Sequence, residues 1–181
     1  MTSSTLPDSR VDPPLLGDEV ATLRAYLDFH RDTFRWKCQG LTQEQMAQPH
    51  PPSDMTLGGM MKHIALVESS WFEDVYAGRG LMAPYDVIDW EADPNWEWRT
   101  ARDDTPEQLY ALFDEACRRA DAVIDEALEG PGLDGRSAKQ SRREQSEFSL
   151  RWIILHLIEE YARHNGHADL IRESIDGQTG E

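Results

Sequence analysis

The chain has 181 residues, which is enough for one domain with a sizeable hydrophobic core. Its 34 acidic residues outnumber its 18 basic ones, and the net charge of −16 argues against nucleic acid or an anionic membrane surface as a partner. The composition, with 39% hydrophobic and 29% charged residues, is that of a soluble globular protein, and no apolar run approaches the roughly 20 residues of a membrane span.

The first part of the chain predicts a loose lead-in followed by a long helix. Residues 1–17 are rich in Ser, Pro and Asp, and we expect them to be disordered or loosely packed. From Asp18 to Cys38 apolar residues recur at helical spacing, and Gly40 is a stop signal. His30 falls on the apolar face of this helix, where a packed core histidine is the first interpretation and a role near a metal is the alternative.

Two features of the sequence, the N-terminus and the cysteines, predict the compartment. The N-terminus has no charged-then-apolar signal pattern, so it does not predict export. Cys38 and Cys117 each fall within a helical pattern, and we expect them to be reduced, buried thiols. Together these features predict a cytoplasmic protein.

The second long helix is predicted to begin after Thr56 and to end before Gly78. Gly58 and Gly59 each cost roughly 1 kcal/mol of helix stability relative to Ala, which indicates close packing or a ligand near the helix start. His63 lies one position from the apolar stripe. Taken alone, His63 is most simply a core histidine. It becomes a candidate metal ligand if another helix supplies further ligands, because a metal site in a helical bundle draws its ligands from more than one helix.

Residues 79–104 form a long connection that mixes acidic and aromatic side chains, among them Trp90, Trp96 and Trp98. Loops of this length are usually functional or wrap the domain. The tryptophans therefore either pin the loop over the helices, or line a substrate pocket or a dimer contact.

The third long helix has clear start and stop signals. Thr105 is the predicted N-cap, with Pro106 and Gln108 completing the start signal, and Gly130 ends the helix. Residues 130–146 are polar and predict a mobile linker. No stretch of the chain shows the alternation of a strand.

The last long helix begins near Leu150 and carries an unusual group of side chains. Four ligand-type residues recur along it, namely His156, Glu160, His164 and His167. A helix advances roughly 100° per residue, so these four share one arc of roughly 80°. Glu160 and His164, at i and i+4, lie at the edge of the apolar stripe and are the first candidates for metal ligands, whereas ordinary local pairing is the alternative.

These patterns together predict an all-α fold. Four long helices are expected, with one long crossover between the second and the third. A single domain is expected at residues 18–177, followed by a C-terminal tail at residues 178–181.

Two stretches carry a resemblance to a known family: TLGGMMKHIALVESSWF around His63, and HLIEEYARHNGHADLIRESIDG around Glu160 and His164. They resemble the DinB/YfiT-like superfamily of metalloenzymes, most of all the branch of mycothiol-dependent maleylpyruvate isomerases and mycothiol S-transferases. The resemblance implies a four-helix bundle that binds a divalent metal through His63, Glu160 and His164. His167 stands where many relatives have Gln, which leaves open whether it is a ligand, a partner of a ligand or an acid/base group.

The resemblance also implies a chemistry. Two imidazoles and a carboxylate leave coordination positions open, which is typical of a reactive metal site. We expect Zn²⁺, with Ni²⁺, Fe²⁺ or Mn²⁺ as alternatives. A metal-dependent thiol transferase or isomerase follows, in which a low-molecular-weight thiol such as mycothiol attacks an electrophilic small molecule. His167 or His156 would move protons.

Two other functions are compatible with the same residues. One is a non-catalytic stress-response bundle that binds a metal or a small molecule, and the other is a metal-dependent hydrolase. The tryptophan-rich connection also makes a homodimer an expectation.

Overall fold

Six α-helices make up most of residues 10–179, the part of the chain that the computed structural model describes. In chain order they are α1 (Glu19–Cys38), α2 (Gln43–Met46), α3 (Leu57–Glu68), α4 (Trp96–Thr100), α5 (Pro106–Glu129) and α6 (Leu150–Asp176). A π-helical segment, Ser69–Tyr76, continues α3 directly. The predicted lead-in at residues 1–17 and tail at residues 178–181 fall partly outside the described residues.

The helices begin where the sequence supplies capping residues. The side chains of Asp18, Thr56, Thr105 and Ser149 each accept a hydrogen bond from a backbone N–H in the first turn of α1, α3, α5 and α6. Gly177 ends α6 with a left-handed φ of 76°. The predicted bounds of the four long helices are therefore correct to within a residue or so at the capped ends.

The prediction of a mobile linker at residues 130–146 is wrong, because part of this segment forms a small sheet. Strand β1 (Arg136–Gln140) pairs antiparallel with β2 (Glu147–Ser149), and the register shifts between the ends of β1. The Ser137 hydroxyl accepts a hydrogen bond from the Phe148 N–H at 2.9 Å. Only Ser137 is buried in β1, so the strand has no apolar alternation and the sequence does not reveal it.

The core lies where α1 packs along α6 and α3 packs along α5. Its largest fully buried side chains include Phe34, Phe72, Phe113 and Tyr161. The fold is thus mostly helical, with one two-stranded sheet beside the helices.

A buried carboxylate at the centre of this core has a neighbour from each long helix. Glu68 of α3 accepts hydrogen bonds from the Arg31 guanidinium of α1 at 2.7 and 2.8 Å, and from the Tyr161 hydroxyl of α6 at 2.7 Å. The Cys117 thiol of α5 lies 3.9 Å from the same carboxylate. Two charges can stay buried here because each is paired and hydrogen-bonded.

Both cysteines are free and buried, as predicted. Burial raises the pKa of the Cys38 thiol to about 12 and also raises the pKa of Cys117. Neither is a reactive thiolate at neutral pH. Within residues 10–179, no helix combines the length and the apolar character that a membrane crossing requires.

Candidate functional site

The imidazoles of His63 on α3 and His164 on α6 pack edge to face, with their ring centroids 5.3 Å apart. Glu160 lies one turn before His164, and its Oε2 is 3.6 Å from His164 Nε2. The three residues predicted as metal ligands therefore belong to one cluster, which spans the contact between α3 and α6. We call these three residues the ligand cluster.

The two predicted proton-transfer histidines flank the ligand cluster. His167 packs on His164 with ring centroids 5.7 Å apart. His156 Nε2 lies 3.8 Å from Glu160 Oε1. His156 also stacks on Trp152 at a centroid distance of 5.0 Å, so one flank of the ligand cluster is aromatic.

His63 is held from its other side by two consecutive residues of α4. Glu97 Oε1 lies 3.2 Å from His63 Nδ1, and the Glu97 side chain is only 4% exposed. An ionised carboxylate only accepts hydrogen bonds, so we assign the proton of the His63 ring to Nδ1 and the free lone pair to Nε2. Trp98 stacks on the same ring, with centroids 4.9 Å apart and an interplanar angle of 28°.

The glycine pair of α3 makes room for this contact. A Cβ on Gly59 would lie 2.8 Å from Cε3 of Trp98, and a Cβ on Gly58 would lie 3.1 Å from the Met46 carbonyl oxygen. Close packing, one of the two explanations predicted for the pair, therefore accounts for both glycines.

Lys62 fixes α4 against α3. Its Nζ donates to Thr100 Oγ1 at 2.9 Å and to Asp104 Oδ2 at 2.5 Å, and it lies 4.3 Å from the centroid of the Trp96 ring. The Tyr85 hydroxyl donates to the Lys62 carbonyl at 2.7 Å. Trp96 also packs against Tyr85, so this part of the long connection is pinned on the helices.

His164 is the most desolvated member of the ligand cluster. Burial first, and then the neighbouring charges of His63, His167 and Arg163, lower the pKa of the His164 imidazole to about 4. The ring is therefore neutral at pH 7, which is the form that binds a metal.

The donor types of the ligand cluster fit a divalent metal, but its side chains are not in an assembled site. Two imidazoles and a carboxylate suit Zn²⁺ and other first-row metals. Nδ1 of His164 is buried and has no hydrogen-bond partner among residues 10–179. In the same stretch no three His, Cys, Asp or Glu side chains are arranged so that they could hold a metal ion. Metal binding at the ligand cluster would therefore require side-chain shifts.

Comparison with known families matches residues 22–177 to the model of the mycothiol-S-transferase family. The chain belongs to the mycothiol-S-transferase family. Comparison with curated proteins gave no match. The matched range includes the ligand cluster and the two α4 residues that hold His63.

Within this mycothiol-S-transferase family member, Glu97 is the residue of the candidate site that the sequence analysis missed, and Trp98 was named there only as one of the tryptophans that pin the connection or line a pocket or dimer contact. The segment of Glu97 has no helical periodicity, and the only signal for it was an acid between two tryptophans in WEWR. His30 contacts Asn165, whose Nδ2 donates to the His30 carbonyl at 3.1 Å. Burial lowers the pKa of His30, in keeping with the predicted packed histidine.

Proposed function

We propose that this protein is a metal-dependent transferase or isomerase that activates a mycothiol-like thiol for attack on an electrophilic small molecule. Its family membership supports a mycothiol-related transferase activity. The observation that carries the proposal is the meeting of His63 and His164 across α3 and α6, with Glu160 beside them. Two imidazoles and a carboxylate leave positions open for a substrate.

In this proposal His63, Glu160 and His164 hold the metal, with Zn²⁺ as the first expectation and Ni²⁺, Fe²⁺ or Mn²⁺ as alternatives. A divalent cation bound there supplies positive charge that favours a thiolate over a thiol. Glu97 orients His63 through its Nδ1–H, which leaves Nε2 free to coordinate.

His167 or His156 accepts the proton that the thiol loses. His167 adjoins His164, and its Nδ1 is buried without a hydrogen-bond partner among residues 10–179. His156 adjoins Glu160 on the aromatic flank. Imidazole is the side chain best suited to proton transfer near neutral pH.

The four long helices are proposed to form the four-helix bundle that the family resemblance implies. The support is Glu68, whose carboxylate has a neighbour from each of α1, α5 and α6. A cytoplasmic location and a homodimer are also proposed, and size-exclusion chromatography with light scattering tests the dimer.

The decisive experiment combines elemental analysis with a conjugation assay. Protein purified without chelator should contain close to one divalent metal per chain and should transfer mycothiol to a bimane or a chloroaromatic electrophile. His164→Ala and Glu160→Gln should lose both metal and turnover, whereas Glu173→Gln, at an exposed position further along the same helix, should keep both.

Three results would contradict the proposal. Full metal content in the His164→Ala protein would exclude the ligand assignment. Turnover of an ester or amide without any thiol would favour a hydrolase. Metal binding without turnover under any condition would favour a non-catalytic binding protein.

A further inference from the structure

A cleft of about 780 Å³ opens between the segment after α2 and the helix α4. Its lining includes Asp54, Met55, Thr56, Asn95, Trp98 and Arg102. Small-molecule sites in proteins have volumes of roughly 300–1,000 Å³, so the cleft has the size of a ligand site.

Trp98 connects this cleft to the ligand cluster. The same indole lines the cleft and stacks on the His63 ring at 4.9 Å. The indole packs closely on α3, because Gly59 has no Cβ at a position where one would lie 2.8 Å from the Trp98 ring. A molecule bound against Trp98 in the cleft thus lies beside the ligand cluster.

The lining groups fit a ring that carries many hydroxyls. An indole offers a flat apolar face to the C–H groups of such a ring. Around it stand a carboxylate, an amide, a guanidinium and a hydroxyl, from Asp54, Asn95, Arg102 and Thr56. Planar carboxylate, amide and guanidinium groups can each bond neighbouring hydroxyls.

The charge of the cleft argues against a strongly anionic ligand. Arg99, which also lines the cleft, is paired with Asp93, and Arg102 Nε donates to the Arg99 carbonyl at 3.2 Å. Asp54 adds a second carboxylate. The two guanidinium groups are thus balanced by two carboxylates, which suits an uncharged polyhydroxylated ligand.

We propose that this cleft binds the sulfur-free part of the thiol co-substrate. In mycothiol that part is a glucosamine linked to inositol, which is rich in hydroxyls and joined to the cysteine that bears the thiol. The inference rests on the proposed function for the identity of the thiol, and adds the place where the protein recognises it.

The first test uses glucosaminyl-inositol, which has no sulfur and cannot react. Isothermal titration should detect one molecule bound per chain, equally in metal-loaded and chelator-treated protein. The compound should also compete with mycothiol in the conjugation assay. Because the titration needs neither metal nor turnover, failure of this proposal can be told apart from failure of the proposed function.

The second test uses cleft variants that do not contact His63. Asn95→Ala and Arg102→Ala should weaken glucosaminyl-inositol binding and raise the KM for mycothiol by roughly five- to tenfold each, the usual effect of losing one hydrogen-bonding group. The kcat, and the KM for N-acetylcysteine, should stay unchanged. Arg118→Ala, at an exposed arginine of α5 outside the cleft, is the matched control.

The outcomes separate clearly. The cleft proposal would be overturned if the protein conjugates mycothiol but does not bind glucosaminyl-inositol. It would also be overturned if Asn95→Ala and Arg102→Ala both keep the wild-type KM for mycothiol. In either case the proposed function would stand. Binding of glucosaminyl-inositol that Arg102→Ala weakens, without turnover, would support the cleft and contradict the function. If the cleft binds maleate instead of glucosaminyl-inositol, and Arg102→Ala abolishes that binding, the cleft is an anion site and the proposal is overturned.

Discussion

Glu97 Oε1 lies 3.2 Å from His63 Nδ1, so a buried carboxylate of α4 supports an imidazole of α3. A carboxylate behind a metal-ligating histidine fixes the ring orientation and raises the basicity of the other nitrogen. The long connection between α3 and α5 is therefore part of the candidate site, because it supplies the carboxylate that contacts His63 Nδ1.

Replacing Glu97 with Gln removes the charge behind His63 and keeps the size of the side chain. We expect the affinity for Zn²⁺ to fall by about 10- to 100-fold, the usual effect of losing such a support. Competition with a chromophoric chelator measures the affinity of each protein for Zn²⁺. Glu91→Gln, at an exposed acid of the same connection, is the control. Equal affinities in both variants would mean that Glu97 does not orient a ligand.

Gly59→Ala should destabilise the protein although Ala is the better helix former. The new Cβ would meet the Trp98 ring at 2.8 Å, and such overpacking costs about 1–3 kcal/mol, which at least cancels the roughly 1 kcal/mol gained in helix propensity and over most of its range exceeds it. Urea unfolding measures the difference. Gly166→Ala in α6 is the matched control, since nothing lies within 4 Å of its Cβ, and it should be neutral or stabilising. Two equally stabilised variants would contradict the packing of Trp98 on α3.

The depressed pKa of His164 predicts a pH-dependent stability of the metal-free protein. Burial lowers the pKa of its imidazole in the folded chain to about 4, below the ordinary histidine value of 6.5. Between these values the unfolded state binds more protons at this group, so the contribution of His164 to the free energy of unfolding falls as the pH drops from 6.5 to about 4 and changes little below. In the presence of EDTA the wild type should lose stability more steeply over this window than His164→Gln. Parallel curves would show that His164 is not desolvated.

Removing the metal should lower the melting temperature, because a ligand that binds only the native state stabilises it. At a free metal concentration of 100 times Kd the stabilisation is about 2.7 kcal/mol, which corresponds to about 5–10 °C for a chain of this size. Differential scanning calorimetry with and without EDTA measures the shift. The melting temperature of His63→Ala should not respond to EDTA. An equal shift in both proteins would place the metal elsewhere.

The parts of the fold that follow from local sequence were predictable. Asp18, Thr56 and Thr105 mark helix starts because their side chains cap backbone N–H groups a few residues away. Glu160 and His164 were predicted as a pair because i and i+4 lie on one helix face. Their meeting with His63 required the family resemblance as well, since it joins helices far apart in the chain.

The parts that depend on long-range contacts were not predictable. Glu97 meets His63 across 34 positions, from a segment without periodicity. Strand β1 is polar and held by hydrogen bonds such as the one from the Phe148 N–H to Ser137, so it leaves no apolar pattern. The separate roles of Trp96, which pins the connection, and Trp98, which lines the cleft, follow only from which surface each ring contacts.

The buried hydrogen bond between Glu68 and Tyr161 couples the integrity of the core to the spacing of the histidines. Glu68 follows His63 by five positions on α3, and Tyr161 precedes His164 by three on α6. Sliding α6 along α3 by one turn, about 5.4 Å, would break that bond and part the two imidazoles in the same movement. Mild heating, or a mutation that weakens core packing, should accordingly abolish the proposed transferase activity while the circular dichroism spectrum is still that of folded helices.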